Sequence, residues 1–551
     1  MAALCACGGG SSGGPGASPS PPSSQSPGPV VPTMADASRL LDQATFGVTA
    51  NEVTHVQGIG ITAYLAEQLA ATPSPYTGFS YSPHTAPPTC VYDAAAPQDA
   101  SSLCARDQYS LFQVQRQFFQ HALTGTDQLR QRVAFALSQI FVVSGVEIYE
   151  AYGMADYQNA LLNDAFGNYR TLLQDVTVSP VMGHYLDMAN NDKTNAAAGT
   201  SPNENYGREV LQLFSIGLYE LNADGSQQLD GSGSPLLTYD QSVVEGFSSV
   251  FTGWTYAPLT GATSKWTNTI NYDGVMVAFA DHHEPGTKLL LNGVTTPADQ
   301  TPEQDLQMAL DSIFNHPNVG PFIGKQLIEH LVTSNPTPAY VARVSAVFAD
   351  NGQGVRGDLG AVVKAILTDP EARGDQATAS NFGRLREPAV YIAGVMRSLG
   401  GTSDGVMLRG ASSSMGQPLY TPQSVFNFYP PSFVLPGTQT LAPEFGIDDA
   451  ATALARANFV NALIFGGGAA PDPTVTGSIG TRVDLSSMAA FTDPTVMIAQ
   501  FNQTLMHGTL SGAATAAILT AVNAQPATDP LAAARTASYL ILTSGQYQVE
   551  R

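Results

Sequence analysis

The sequence predicts a mainly α fold: a multi-helix globular body with a small β-rich insertion and long ordered loops. Two observations carry this. Apolar residues recur at spacings of three and four through most of the chain, which puts them on one face of a helix with 3.6 residues per turn. Between about 236 and 300 that period gives way to Thr, Tyr, Trp, Val and Gly with the turn pairs Asp273-Gly274 and Asn292-Gly293, as short hairpins require.

Taken in order, residues 8–33 are almost wholly Gly, Ser and Pro, too poor in apolar groups to fold, and read as a tether. Helical spacing follows at 109–123, 129–144, 155–165, 168–178 and 203–218. After the β-rich insertion it returns at 303–316, 318–332, 338–351, 357–368 and 385–399, then near 449–465, 494–506, 511–523 and 530–543. The stretch 400–447 carries Pro418, Pro422, Pro430, Pro431 and Pro436 among aromatics. It is too long for an ordinary connection, and Tyr420, Phe426, Phe428 and Tyr429 make it an ordered surface loop. The expected organisation is a terminus and tether over 1–33 and one large helical domain over 34–551 with its insertion at about 236–300.

Charge narrows the partners. The chain has 551 residues, with 23 Lys and Arg against 45 Asp and Glu, a formal net charge of −22. Such a field repels phosphate backbones and anionic polymers, so nucleic acid is excluded as an expected partner. Charged residues make up only 12%, about half the usual ~25%, with neutral polar residues in their place. That mixture is common on exported proteins. No run of about 18 apolar residues occurs, so the expected membrane contact is limited to a lipid anchor.

Leu4, Ala6 and Cys7 match the Leu-x-Ala-Cys pattern of a bacterial lipoprotein cleavage site, in which small residues admit the peptidase and the thiol takes the lipid. Cys7 is the expected anchor. Cys90 and Cys104 flank a loop rich in Ala, Ser, Pro and Asp; a bridge closing ~15 residues restricts the unfolded chain by about 3 kcal/mol. Paired thiols imply an oxidising compartment: periplasm, outer membrane or cell surface.

The densest polar signal runs from Ser201 to Gly217. Ser201 reads as an N-cap, Pro202 as the first helical residue and Glu204 as the third, a capping box. Tyr206, Val210, Leu213 and Phe214 then form one apolar face, with Asn203 and Glu209 on its borders. Glu204 and Arg208 share the far face as an i,i+4 pair, worth a few tenths of a kcal/mol. Glu209, a carboxyl at the edge of a buried stripe, is the candidate general acid or base; a buried Glu satisfied by a neighbouring donor is the structural alternative.

The run Asn203-Glu204-Asn205-Tyr206-Gly207-Arg208-Glu209, followed by Leu213-Phe214-Ser215-Ile216-Gly217, resembles the hallmark of the bacterial "domain of unknown function eighteen hundred" family. Further matches follow in order: Ala44-Thr45-Phe46-Gly47, Tyr185-Leu186-Asp187, Phe251-Thr252-Gly253-Trp254, His283-Glu284-Pro285-Gly286, Arg386-Glu387-Pro388 and Gly416-Gln417-Pro418. Together they cover nearly the whole chain beyond the tether. The resemblance implies an exported bacterial protein and names no reaction. Two departures stand out: Glu284 follows His283 where Asp is expected, and Phe426-Asn427-Phe428-Tyr429 stands where a Gly-Trp pair is expected.

No GxSxG elbow and no phosphate-binding Gly-rich loop occurs, so neither serine chemistry nor a nucleotide cofactor is indicated. Paired carboxylates across a cleft hydrolyse glycosides without a cofactor. The primary expectation is therefore a cofactor-independent envelope hydrolase acting on a neutral glycan, with Glu209, Glu204 and Asp187 as the acids. Arg208, Asn203, Asn205, Tyr206, Trp254, His283 and Lys288 are the expected substrate-binding groups. A noncatalytic envelope binding or assembly protein, holding an envelope protein partner, is the second reading. A metal-dependent enzyme using His283 is the third, although adjacent side chains of Asp281-His282-His283-Glu284 cannot all face one ion and no metal ligand is assigned.

Overall fold

The computed structural model describes residues 31–374 and 381–551. Cys7 and all but the end of the tether lie outside the described residues. Within them the chain forms 24 α-helices and six strands of two residues each, which makes the fold mainly α. The strands pair only in twos, so helix packing builds the core. Buried apolar side chains from Ala37 to Tyr547 form one contiguous cluster.

Helix starts follow local chemistry. Thr301 and Gln304 close a reciprocal capping box on the helix Pro302–Phe314, with Pro302 in its first turn. Thr337 caps Pro338–Ala349 in the same way with one side-chain bond. These helices stop where the apolar period stops, and Val319–Leu331, Pro338–Ala349 and Leu359–Thr368 pack in succession.

Three local expectations change. The Ser201 capping box does not form: the helix runs Asn205–Gln212, its N-cap is Glu204, and no side chain caps it. Asn203 instead takes a turn in which its Oδ1 accepts from the Asn205 amide at 2.8 Å. The insertion begins with a helix, Gln241–Val250, capped by Asp240, because Val243, Phe247 and Val250 keep a three-and-four spacing on its buried face. Only later does strand pairing appear, with Trp254–Thr255 against Val277–Ala278. The Asn292-Gly293 turn, with φ of 57° and 72°, closes the bridge Leu289 to Thr295.

The stretch 400–447 is more regular than a loop. It contains the helix Val406–Ser414 and the 3-10 turn Pro443–Ile447. Tyr420 and Tyr429 are buried, so aromatics expected on an ordered surface loop serve partly as core. Cys90 and Cys104 form a disulfide across a separation of 14 residues.

Candidate functional site

The helix Asn205–Gln212 carries two different environments at its two ends. At its start, Asn205 Nδ2 donates to Asp187 Oδ2 at 2.6 Å, and Asp187 holds a positive φ of 57°, a conformation Asp tolerates better than most residues. Arg208 Nη2 donates to Glu204 Oε2 at 2.7 Å, and Gln241 Nε2 donates to both Glu204 oxygens at 3.0 Å. The pair is exposed, 40% for Arg208 and 36% for Glu204. Asn203 is tied to Asn191 through its backbone, its amide donating at 2.8 Å. Asp187, Asn203, Glu204, Asn205 and Arg208 are therefore brought together as a hydrogen-bonded surface.

The other sequence-derived candidates are elsewhere. Tyr206 is buried, its hydroxyl 2.6 Å from Thr177 Oγ1 and its ring edge-on to Phe251. Trp254 is buried in its strand. Neither ring offers an open face for stacking. His283 and Lys288 meet in the interior on one carboxylate, Asp305 Oδ2, at 2.9 and 2.6 Å. The second nitrogen of His283 lies 2.9 Å from the Thr252 carbonyl, so both ring nitrogens are engaged. Among the described residues no three His, Cys, Asp or Glu side chains stand together as metal ligands.

Glu209 occupies an intermediate place. It is half-buried, burial raises its pKa against the opposing Arg208 charge, and its Oε2 has no hydrogen-bond partner. Burial together with the Glu147 and Glu209 charges pushes Tyr185 up to about 12.

Beyond the helix's other end lies a cavity of about 640 Å³. One wall is the turn that follows Gln212, held by Asn318: its Nδ2 donates to the Ile216 and Tyr219 carbonyls at 2.9 and 2.8 Å, while Oδ1 accepts from the Leu221 amide at 2.9 Å. Gly217 sits in that turn at φ 73°, where a Cβ would meet the Phe322 ring at 2.7 Å. The opposite wall comes from the Pro-rich stretch. Asn335 clamps Leu441 by exchanging two bonds of 2.9 Å with its backbone, and Asn427 Nδ2 donates to Gln139 Oε1 at 2.9 Å.

The floor is ionic. Arg384, placed by pairing of Arg384–Leu385 with Val549–Glu550, donates to Glu387 Oε1 at 2.8 Å and to Glu444 Oε1 at 3.1 Å. Gln417 Nε2 donates to the second Glu387 oxygen at 2.6 Å. Burial alone would raise Glu387, but Arg384 and Arg132 hold it below the usual carboxylate range. Glu444 goes the other way, raised by burial against the Arg384 charge. Burial pushes Glu329 up to about 7, with Lys325 opposing and Glu444 adding. Burial also drops His330 to about 3. A carboxyl poised near neutrality in a largely apolar cleft is the arrangement general acid-base catalysis uses.

The family model described as "Protein of unknown function (DUF1800)" matches residues 39–549. The chain belongs to that family. No curated protein and no solved structure matches it. Two motifs of the DUF1800 resemblance, Arg386-Glu387-Pro388 and Gly416-Gln417-Pro418, meet at the Glu387–Gln417 bond, one hydrogen bond behind the lining residue Tyr429. The departure at Phe426-Asn427-Phe428-Tyr429 lies in the cavity wall, with Phe426 49% exposed. Sequence reasoning did not assign Gln139, Glu329, Asn427 or Glu444 to a site. Glu329 stands four residues after Lys325, and such a pair reads as a solvated helix face until the fold covers the carboxyl.

Proposed function

We propose that this protein is an exported cell-envelope hydrolase that works without a cofactor, with the cavity as its active site and a neutral glycan as its substrate. The observation that carries this reading is Glu329: a carboxyl that still holds its proton near neutral pH, lining an open cleft beside a second carboxyl, Glu444. Glu329 is the proton donor to the leaving oxygen. Glu444, ion-paired to Arg384, supplies the negative charge that an oxocarbenium-like transition state demands. Tyr219, Phe322 and Phe426 in the walls offer ring faces for sugars. The net charge of −22 disfavours anionic polymers.

Export is part of the same proposal. The Cys90–Cys104 disulfide fits an oxidising compartment, and a lipid on Cys7 would anchor the chain there. Full hydrogen bonding of Glu204 with Arg208 and Gln241 favours a structural weld at that surface over chemistry.

The test is release of reducing ends from a panel of neutral polysaccharides, with binding measured in parallel. Turnover that Glu329→Gln abolishes, with binding and melting temperature kept, supports the reading. Tight binding without turnover overturns it in favour of the noncatalytic binding protein, and neither binding nor turnover overturns it outright.

A further inference from the structure

His84 and His184 belong to no wall of the cavity, and their ring centres lie 5.5 Å apart. Each ring is held at Nδ1 by a group behind it. The Glu150 side chain, fully buried at the N-cap of the helix Ala151–Asp164, puts Oε1 2.6 Å from His84 Nδ1. Tyr149 Oη donates to the His84 carbonyl at 2.7 Å and fixes the same residue through its backbone. His184, in the last turn of the helix Pro180–Tyr185, has Nδ1 2.6 Å from Tyr272 Oη. These contacts leave Nε2 of each ring for a ligand. Both residues reach solvent, the His84 side chain being 33% exposed and His184 half-buried.

An imidazole held in this way is preset for a metal ion, because a partner on one ring nitrogen fixes the tautomer and directs the lone pair to the other. Burial raises the Glu150 pKa, with the His84 ring opposing, which makes its carboxylate a strong acceptor for the Nδ1 proton. The Tyr272 hydroxyl accepts as readily as it donates, so His184 can take the same tautomer. Burial and the His84 charge lower His184, with Asp187 opposing; the two rings resist joint protonation. The spacing fits as well, since two imidazoles bound through Nε2 at about 2.1 Å to one tetrahedral ion have ring centres about 5 Å apart. The surroundings favour a cation. Burial together with the Asp187 charge raises Glu147, so two carboxylates repel each other beside the rings, and a divalent charge relieves that repulsion.

We propose that His84 and His184 bind one divalent first-row transition ion of the Zn2+ type through both Nε2 atoms. Among the described residues no three His, Cys, Asp or Glu side chains form a ligand group, so water completes the shell. Imidazole selects this class over Mg2+ and Ca2+, which take oxygen ligands. The bound ion ties the irregular segment 71–99, which carries His84, to the helix Pro180–Tyr185 and stabilises the fold by mass action. The site is independent of the glycan reading.

The experiment is calorimetric titration of the whole protein with zinc chloride and with magnesium chloride, after dialysis against chelator and with the tether thiols Cys5 and Cys7 blocked by iodoacetamide. Wild type is expected to bind one Zn2+ per chain, about tenfold or more tightly than Mg2+, and to melt at a higher temperature with zinc present. His84→Gln and His184→Gln are each expected to weaken Zn2+ by about tenfold or more and to remove the rise in melting temperature, with circular dichroism confirming the fold. Zn2+ held no more tightly than Mg2+ assigns the binding to the acidic surface and overturns the proposal. Wild-type zinc affinity in either variant places the ion elsewhere and also overturns it. If the variants fail to fold, zinc protection of the wild-type histidines against diethyl pyrocarbonate, read by peptide mass spectrometry, decides. Protection of both His84 and His184 supports the site, and protection of one or neither overturns it.

Discussion

Glu444 reaches Arg384 with only one of its oxygens, Oε1 at 3.1 Å from Nε, and its second oxygen is buried without a partner. Arg384 serves Glu387 at the same time. One guanidinium thus sets the charge of two buried carboxylates.

Arg384→Met should therefore cost about 3–5 kcal/mol, because it strands two carboxylates in a low-dielectric interior. Arg384→Lys should recover little, since an ammonium cannot reproduce the planar fork. Urea unfolding measures both. A loss below about 1 kcal/mol for Arg384→Met would show that the network carries little.

Protonation of Glu329 should govern both rate and stability. Its folded pKa of about 7 lies above the ordinary 4.5. Below pH 4.5 both states hold the proton and burial of Glu329 brings no pH-linked penalty. As pH rises through that window the unfolded chain releases its proton first, so stability falls, by up to roughly 3 kcal/mol above pH 7. Activity should fall about tenfold per pH unit above 7 as the acid is lost. Glu329→Gln should flatten the stability profile, which thermal melts from pH 4 to 9 would record.

Gly217→Ala should destabilise by about 1–3 kcal/mol, combining an unfavourable positive φ with contact against the Phe322 ring. Ligand binding should weaken further than stability accounts for, since both residues line the cavity. A variant with normal melting and normal binding would show that the turn adapts.

Reduction of the Cys90–Cys104 disulfide, or Cys90→Ser with Cys104→Ser, should lower stability by about 3 kcal/mol for a loop of this length. Chemical denaturation with and without reductant checks this.

Arg208→Ala, by contrast, should change stability by no more than about 0.5 kcal/mol, because its partner Glu204 is exposed to water and salt. A cost above 2 kcal/mol would mean the surface network bears more of the fold than its exposure implies.

Most helices were legible because their signals are local. Pro302–Phe314 announces itself through Thr301, Pro302 and Gln304, and the turn at Asn292-Gly293 through residues that accept positive φ. Val406–Ser414 was missed because Gly410 and Ser412 to Ser414 fill its second half, which hides a helix held by packing. Asn205–Gln212 begins later than Ser201 suggested, since Asn203 bonds the Asn205 backbone and competes for the role of cap.

By itself the sequence determined where helices run, the acidic character of the surface, the spacing that allows the disulfide, and membership of the DUF1800 family, all of which depend on neighbours a few residues apart or on counts. Only the tertiary structure decided which acids leave water. Lys325 and Glu329 share the i,i+4 spacing of Glu204 and Arg208 with equally exposed cations, yet the Glu329 side chain is 16% exposed and that of Glu204 36%. Desolvation depends on what distant segments pack above a side chain, and here those are the turn pinned by Asn318 and the stretch clamped by Asn335 and Asn427.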